Sequence, residues 1–489
     1  MMYINAPREA PPFTAGQPLY ETRPHVVQAG NITPGISALE YYERRLRLMA
    51  NFPARSVAVV AGNQVKYASG SVFYQFQQNT DLFYLTGWNE PDSVALLEKI
   101  NEQDVVLHML VPPKDTFAEQ WEGYRTGVEN VQELFNADES ASIHELPAYM
   151  RHVVERNDYV YFDHVGEPRK ATPASAFRGM FGNKAQGLAG ADTMHRILAE
   201  MPVTKTHRAL KPHIENMRAV KSDAEVAVMR AAGRISGRAY NQAYAQRFKT
   251  ERVLNSFLQH RFIAGGCEKA AYIPVVAGGP NALCIHYTIN NDVLRTDEMV
   301  LVDAGGALGG YCADISRTWP NAGKFSEPQA ELYQAVLSVQ KQCIAMCTTR
   351  ENVSLNQLHA ASMRLMSREL LRLAGFEDLT ERSTQELYPH SIGHNLGLDL
   401  HDIPGFGGST KLQKNQVITI EPGVYIPDDD RFPARFRGIG IRIEDDIAVG
   451  EDTYTNLTVE AAKEIVDIES IAENGVTTPY EDEVVDAFS

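Results

Sequence analysis

Short apolar runs and helical apolar stripes alternate along the first half of the chain. A helix is predicted from Ser37 onward. Strands are predicted at 56–62, 82–87, 93–99 and 105–113. Strands that alternate with helices are typical of an α/β domain, which we expect over residues 36–205. Residues 1–35 contain many Pro and Gly without a hydrophobic period, so an extended N-terminal arm is predicted there.

The second half again shows helical stripes between strand-like segments, after a linker that we expect at 202–216. Capping-box pairs, which mark helix N-termini, occur at Ser222 with Glu225 and at Ser326 with Gln329. We expect a second domain that mixes helices and strands over residues 206–470. The remaining residues, 471–489, are predicted to form an acidic tail.

The stretch 299–318, MVLVDAGGALGGYCADISRT, is typical of a β-hairpin with a glycine-rich turn. If the turn centres on Leu308 and Gly309, Asp303 and Asp314 lie directly opposite on one face, with Cβ atoms roughly 5 Å apart. Like charges so placed destabilise a sheet. A shared divalent cation would neutralise them, because hard metals prefer carboxylate oxygen. The alternative is that one Asp is a turn residue and the other faces solvent.

Three further segments favour the metal hypothesis over that alternative. Residues 389–402, PHSIGHNLGLDLHD, contain three histidines, His390, His394 and His401. The strand-like segment 417–426 carries Glu421, and the segment 440–449 carries Arg442 and Glu444 on one face. Four separate segments therefore each offer an oxygen or imidazole ligand.

At these residues the chain resembles a known family. The order Asp, ten residues, Asp, then His, Glu and Glu is that of the dinuclear metal site in the aminopeptidase P, prolidase and methionine aminopeptidase group. The motif NALCIHY, with His286, and the motif NLGLDLHD extend the similarity over nearly all of residues 31–470. The resemblance implies an aminopeptidase P-type N-terminal α/β domain. It also implies an α+β pita-bread catalytic domain with a curved antiparallel sheet over 206–470.

The resemblance also implies how two divalent metal ions would be held. Asp314 and Glu444 would bridge the ions, Asp303 would chelate one of them, and His394 with Glu421 would complete the other. Glu421 is also expected to act as the general base. A set rich in carboxylates with a single His favours manganese over zinc or cobalt.

Three outer histidines and one arginine complete the expected site. By resemblance, His286, His390 and His401 would position the substrate and stabilise the tetrahedral intermediate. The alternative for any one of them is a hydrogen-bonded structural histidine. Arg442 is expected to pair with a ligand carboxylate and to orient it.

The composition excludes several classes of function. Of the 489 residues 44% are hydrophobic and 22% charged, with a net charge of −16. No basic stripe is present to neutralise phosphates, so no nucleic-acid partner is expected. No apolar run approaches the roughly 18 residues that span a bilayer, so no integral membrane segment is expected. Five cysteines, an odd number, favour a reducing compartment over a disulfide-bonded secreted protein.

The leading hypothesis is a metalloaminopeptidase that removes one residue from peptide or protein N-termini. Its substrate would be either a bulky first residue on imported mitochondrial proteins or an Xaa-Pro bond. A prolidase-like dipeptidase is a second enzyme hypothesis. A non-catalytic pita-bread binding module is a third, which the complete set of five ligands disfavours.

The compartment and the assembly rest on resemblance alone. The segment 16–37, GQPLYETRPHVVQAGNITPGIS, is similar to the entry segment of mitochondrial, intermediate-cleaving aminopeptidase P enzymes. No transit peptide is visible in the first residues, so the cytoplasm stays the alternative compartment. The N-terminal domain carries no catalytic constellation of its own, and a homodimer is expected.

Overall fold

The computed structural model describes residues 13–163 and 205–477, together with 481 and 483–488. The chain divides into two compact units, Met1–Ile214 and Glu215–Ser489. Parts of the predicted arm, the first domain and the tail lie outside the described residues, namely 1–12, 164–204, 478–480, 482 and 489. The predicted domain limits therefore stay predictions.

The N-terminal unit contains five described helices and ten described strands. The helices are α1 (Ala38–Ala50), α2 (Thr80–Thr86), α3 (Thr116–Glu122), α4 (Gly127–Phe135) and α5 (Leu146–Glu155). The strands are β1 (Asn31–Thr33), β2 (Ile36–Ser37), β3 (Ser56–Ala61), β4 (Tyr67–Ser69), β5 (Val72–Phe73), β6 (Val94–Lys99), β7 (Val105–Val111), β8 (Glu139–Ser142), β9 (Tyr159–Tyr161) and β10 (Thr206–Arg208).

A six-stranded mixed sheet organises this unit, in the order β10-β9-β3-β6-β7-β8. One of its faces packs on α5 through buried aliphatic side chains, among them Val57, Leu96, Met150 and Val154. Strands interleaved with helices confirm the predicted α/β class. The described part of the predicted arm contacts this unit, because Gln17 Nε2 donates to the carbonyl of Gly87 at 2.9 Å.

Two predictions of local structure are wrong here. Residues 82–87 were expected to form a strand, and they belong to α2 and its C-cap. The side chain of Asn79 caps the first turn of α2, and Gly87, at φ 71°, ends the helix in the left-handed conformation. The expected linker at 202–216 is helical from Lys211, where the nine-residue helix α6 (Lys211–Ala219) begins.

The C-terminal unit combines six further helices with eleven strands among the described residues. The helices are α7 (Asp223–Tyr244), α8 (Glu251–Ala264), α9 (Glu327–Ala345), α10 (Leu355–Leu370), α11 (Glu381–Leu387) and α12 (Ile465–Asn474). The strands are β11 (Lys269–Ala270), β12 (Val275–Gly278), β13 (Met299–Asp303), β14 (Gly306–Leu308), β15 (Tyr311–Cys312), β16 (Ser316–Pro320), β17 (Val417–Ile420), β18 (Gly423–Tyr425), β19 (Gly440–Arg442), β20 (Asp445–Ala448) and β21 (Thr455–Asn456).

These strands form small antiparallel sheets, in the orders β11-β14-β15, β12-β13-β16, β17-β20-β21 and β18-β19. The predicted capping boxes are both present, with Ser222 and Glu225 at the start of α7 and Ser326 and Gln329 at the start of α9. Antiparallel sheets beside long helices confirm the predicted α+β class. Cys343, in the last turn of α9, and Cys347, just beyond its end, are fully buried.

The predicted hairpin at 299–318 exists with a different register. The turn lies at Gly309 and Gly310, with φ of 56° and 82°, so Leu308 pairs with Tyr311. A tight turn of this kind requires two consecutive residues with positive φ, which glycine adopts without strain and leucine does not. Asp303 consequently pairs with Ser316, and the prediction that Asp303 lies directly opposite Asp314 is wrong.

Among the described residues, no helix combines the length and the apolar character required to cross a bilayer.

Candidate metal centre

Strand ends of the C-terminal unit carry the acidic residues of the candidate site. Asp303 is the last residue of β13, and Asp314 lies between β15 and β16. Glu421 directly follows β17, and Glu444 lies between β19 and β20. The backbone N–H of Glu444 donates to the carbonyl of Ser316 at 3.0 Å, which joins the two strand systems at the site.

A non-helical segment beside β17 places the histidine of the site. The N–H of Thr419 donates to the carbonyl of His394 at 2.9 Å, and the Thr419 hydroxyl accepts from the N–H of His394 at 3.1 Å. The N–H of Glu421 donates to the carbonyl of Ile392 at 2.7 Å. His394 and Glu421 are therefore fixed to each other through the backbone.

The side chains of four of the five predicted ligands meet closely. His394 Nε2 lies 3.5 Å from Asp314 Oδ2 and 3.7 Å from Glu421 Oε1. Ligand atoms of Asp314, His394 and Glu444 all lie within 4.8 Å of one another. We call Asp303, Asp314, His394, Glu421 and Glu444 the acidic site.

Asp303 joins the acidic site through Tyr272 and Arg442. The Tyr272 hydroxyl contacts Asp303 Oδ1 and lies 2.6 Å from Asp314 Oδ1. Arg442 Nη2 donates to Asp303 Oδ2 at 2.7 Å, while its Nε donates to Ser316 Oγ at 2.9 Å. Ser316 in turn donates to Glu444 Oε2 at 2.6 Å. Arg442 is buried, and it orients carboxylates on both sides of the site.

The outer histidines have different environments. Arg442 Nη1 donates to the Tyr425 hydroxyl at 2.7 Å, and that hydroxyl lies 2.9 Å from His390 Nε2. Because Tyr425 accepts from Arg442, its own proton points to His390, which leaves the other ring nitrogen protonated toward the Ser391 carbonyl at 2.9 Å. Both nitrogens of His390 thus bond to protein groups. His286 and His401 are exposed.

The His401 ring lies edge-on against the ring of His394. The His401 and His394 ring centroids are 4.3 Å apart, with an angle of 61° between the rings. Burial and then the neighbouring His394 lower the pKa of His401. Burial, followed by the charge of Arg442, lowers the pKa of His390 to about 4. Both outer histidines are therefore neutral at neutral pH.

Burial and the proximity of other carboxylates determine the pKa values of the acidic residues. Burial raises the pKa of Glu421 to about 7, although His394 and Arg442 oppose the shift. Burial, and then the charge of Asp314, raises the pKa of Asp303 and of Glu444. Burial opposes protonation of His394, but Asp314 and Glu421 raise its pKa to about 9.

One carboxylate of the site differs from its neighbours in this respect. Burial acts to raise the pKa of Asp314, but the hydrogen bond and the charge of His394 outweigh it and lower that pKa. The site as a whole carries more buried acid than its two cations, His394 and Arg442, can neutralise.

The donor set fits divalent cations. Glu444 Oε1 is buried and has no hydrogen-bond partner among the described residues, and the same holds for Asp446 Oδ1. A buried carboxylate oxygen without a partner is costly unless a cation neutralises it. Carboxylate oxygens with one imidazole are ligands that hard and borderline divalent ions accept. The acidic site is therefore suited to metal ions.

Sequence analysis missed three residues that belong to this centre. Tyr272 contacts two of the carboxylates, Tyr425 links Arg442 to His390, and Asp446 Oδ2 accepts the N–H of Asp314 at 3.0 Å. Asp446 is the last residue of the acidic triplet EDD that begins at Glu444, so the sequence offered a signal for it. No local pattern marks Tyr272, because it approaches the site from a loop.

Comparisons with known proteins agree with this geometry. Residues 227–451 match the model of metallopeptidase family M24, and residues 41–161 match that of the aminopeptidase P N-terminal domain. Intermediate cleaving peptidase 55 of Saccharomyces cerevisiae is 55% identical over 476 residues, which cover 97% of this chain and 92% of the relative. A crystal structure of that protein, with its N-terminal 58 residues deleted, has a TM-score of 0.82 at 52% identity and covers 92% of this chain and 100% of the other.

Two further relatives span the same length. The mitochondrial intermediate cleaving peptidase 55 of Arabidopsis thaliana is 35% identical over 462 residues, which cover 94% of this chain and 88% of the relative. Xaa-Pro aminopeptidase 3 of Homo sapiens is 34% identical over 487 residues, which cover 95% of this chain and 92% of the relative. Together with the family models, these similarities show that the chain belongs to metallopeptidase family M24 and is a metalloaminopeptidase of the aminopeptidase P type.

Proposed function

We propose that this metalloaminopeptidase removes a single bulky N-terminal residue from imported mitochondrial proteins after their presequence has been cleaved. The observation that carries the proposal is the buried acidic site, in a chain 55% identical to an intermediate cleaving peptidase over nearly its whole length. A relative named as mitochondrial supports the compartment. The Xaa-Pro aminopeptidase relative supports cleavage before proline as the second candidate.

The acidic site would hold two divalent ions, for which we propose manganese. Asp303, Asp314, His394, Glu421 and Glu444 would hold them. When bound, such ions polarise the scissile carbonyl and lower the pKa of water into the neutral range. The catalytic unit would then be of the pita-bread type.

The residues of the chain would supply binding and proton transfer. Glu421 would act as the general base, because its carboxylate lies within the acidic site, with Oε1 3.7 Å from His394 Nε2. Carboxylates of the acidic site would hold the ammonium group of a substrate N-terminus. His286 and His401 are exposed beside the site and would donate to the substrate, while His390 would hold the position of Tyr425.

A peptide panel tests the cleavage rule. Decapeptides beginning Tyr-Ala, Leu-Ser and Arg-Pro, and an Xaa-Pro dipeptide, are incubated with the manganese-loaded protein, and the products are identified by mass spectrometry. We expect loss of one Tyr or one Leu. Cleavage confined to Arg-Pro would instead favour an Xaa-Pro aminopeptidase, cleavage of dipeptides alone would favour a prolidase-like enzyme, and loss of two residues at once would reject all three.

Two controls test separately whether cleavage requires the metal ions and whether it requires the substrate ammonium group. Treatment with a chelator should abolish release, and manganese should restore it. The N-acetylated Tyr-Ala peptide, which lacks the cationic N-terminus, should not be cut. Full turnover by protein shown to be metal-free would refute the metal assignment, and cleavage of the acetylated peptide would refute the anchoring role of the ammonium.

We also propose a homodimer, on the similarity to aminopeptidase P enzymes and on the lack of a catalytic constellation in the N-terminal unit. Light scattering should give about twice the mass of the 54.4 kDa chain. A mass near that of one chain at every concentration would contradict the proposal.

A further inference from the structure

A buried group of charges lies directly after His401 in sequence. Asp402 is fully buried, and its two carboxylate oxygens bond to different cations. Arg218 Nη2 donates to Asp402 Oδ1 at 2.5 Å, and Lys221 Nζ donates to Asp402 Oδ2 at 3.0 Å. Arg218 also donates to Asp399 Oδ2 at 2.8 Å. We call Arg218, Lys221, Asp399 and Asp402 the Asp402 ion cluster.

The cations come from a part of the chain that is rigidly placed. Arg218 lies in the last turn of α6, and Lys221 lies between α6 and α7. The backbone N–H of Lys221 donates to the carbonyl of Asn415 at 2.9 Å, close to the start of β17. Lys221 and Asp402 are both only 1% exposed in their side chains. Two fixed cations therefore hold one carboxylate in a single orientation.

The loop that bears His401 is closed at the same point. The backbone N–H of Asp402 donates to the carbonyl of Asn395 at 2.9 Å, so the residues following His394 and His401 are joined directly. Gly397 lies beneath the carboxylate, and a Cβ at that position would come within 2.5 Å of Asp402 Oδ2. The Gly397 carbonyl accepts the N–H of Cys312 at 2.9 Å, which ties the loop to β15.

The His401 ring itself is not held by a hydrogen bond. Among the described residues, no group donates to or accepts from its imidazole, whereas both nitrogens of His390 have partners. Within the described part of the chain, its ring contact is the edge-on one with His394. The orientation of His401 is therefore set by the backbone at 401 and 402, which the Asp402 ion cluster immobilises.

We propose that Arg218, Lys221 and Asp402 are positioning residues that hold His401 against His394 and aim it at the substrate. The proposal rests on the proposed function in one respect, because it takes His401 as a substrate-contacting residue. The cluster would act on the reaction through His401 alone, from charges that touch neither substrate nor metal.

A double-mutant cycle tests this. Lys221→Met keeps most of the side-chain volume and leaves Arg218 to neutralise Asp402, but it releases the Oδ2 side of the carboxylate. We expect kcat/KM to fall about 10- to 100-fold, as small displacements of positioned groups do. In a His401→Ala background the same substitution should change kcat/KM by no more than about twofold, because residues that act through one another are not additive.

Matched variants separate positioning from loss of stability. Ser222→Ala removes the N-cap of α7 beside Lys221 without touching Asp402, and it should leave kcat/KM near that of the parent. Asp402→Asn serves as a second disruption if Lys221→Met does not fold, and it should show the same dependence on His401. Metal content should match the parent in all of them.

Several results would overturn the proposal. Equal effects of Lys221→Met in the presence and absence of His401 would show a general structural role, and an equal loss in Ser222→Ala would show the same. If neither cluster variant folds while Ser222→Ala does, the cluster stabilises the fold and does not position His401. If His401→Ala is fully active, His401 has no role for the cluster to serve.

A structural readout keeps this test apart from the proposed function. A crystal structure of Lys221→Met should show the His394 and His401 centroids displaced from their 4.3 Å separation. An unchanged separation rejects the proposal, whatever peptide the parent protein cleaves. Failure of the parent protein on the whole peptide panel rejects the proposed function, while ring displacement still decides whether the cluster positions His401.

Discussion

Glu444 and Asp445 are adjacent in sequence and equally buried, yet their carboxylates meet opposite conditions. Asp445 bonds to Arg317 Nη2 at 2.6 Å, Lys463 Nζ at 2.5 Å and Gln340 Nε2 at 2.8 Å. Glu444 receives one hydrogen bond, from Ser316, and its Oε1 has no partner among the described residues. One acid is paired with cations of the chain, and the other is not.

The pKa values follow this difference. Burial acts to raise the pKa of Asp445, but the charges of Arg317 and Lys463 outweigh it and hold that pKa well below its usual range. For Glu444, burial and the neighbouring Asp314 act in the same direction and raise its pKa. Burial alone therefore does not mark a metal ligand. A buried carboxylate that the chain leaves without a cation is the group that a bound ion can neutralise.

The largest expected effect comes from removal of the proposed general base. Glu421→Gln keeps the shape of the side chain but removes its proton-accepting carboxylate. We expect kcat to fall about 10²–10⁴-fold, the usual contribution of a general acid or base, with a much smaller change in KM. Steady-state kinetics on a cleaved peptide, with metal content measured in parallel, check this. A variant that retains its metal ions and turns over within a few-fold of the parent would show that Glu421 is not the base.

A second pair of variants compares the adjacent acids directly in metal-free protein. Asp445→Asn leaves the buried Arg317 and the half-buried Lys463 without their counter-charge, and it should lower the free energy of unfolding by about 3–5 kcal/mol. Glu444→Gln removes a buried carboxyl group with a raised pKa and with an oxygen that has no partner among the described residues, so it should leave the metal-free protein equally stable or more stable. Urea unfolding measures both changes. A comparable loss from Glu444→Gln would mean that the two carboxylates do not differ as described.

Several helix ends and the composition of the acidic site could be predicted from the sequence, because both depend on local patterns. The capping boxes of α7 and α9 were predicted from residue type and spacing. The residues of the acidic site were singled out from their segments and from the family resemblance, and their roles as metal ligands stay predictions. Residues 82–87 were misassigned because a short apolar run fits a buried helix as well as a strand. Asn79 and Gly87, the caps of α2, were the local signals that favoured the helix.

Pairing over long sequence distance could not be predicted. Asp402 lies 181 residues from Lys221, and Asp445 lies 128 residues from Arg317. No period or motif relates such positions, so sequence alone did not distinguish the satisfied Asp445 from the unsatisfied Glu444. The hairpin register was predicted wrongly because of a local error. The turn was placed one residue too early, and such a shift moves every cross-strand partner by two.

The smallest effect is a pair of opposite pH dependences in the metal-free protein. Glu421 has a pKa raised from 4.5 to about 7, so its contribution to stability is fully present below pH 4.5 and is lost as the pH rises to about 7. The loss from this one group amounts to about 3 kcal/mol. Asp445 has a lowered pKa, so its contribution is present above pH 3.8 and is lost as the pH falls below that value.

Variants should separate the two dependences. Glu421→Gln should make the decline between pH 4.5 and 7 shallower and leave the acid side unchanged, whereas Asp445→Asn should flatten the acid side and leave the decline. His394, with a pKa raised from 6.5 to about 9, adds a further loss of stability only above pH 6.5. Urea midpoints between pH 3 and 8 measure these slopes.

Manganese should remove the decline in the parent protein, because ligands release protons when metal binds. A fall in stability between pH 4.5 and 7 that persists unchanged in Glu421→Gln and in the manganese-loaded parent would show that the acidic site does not cause it. The contrast with Asp445 would then rest on hydrogen bonding alone.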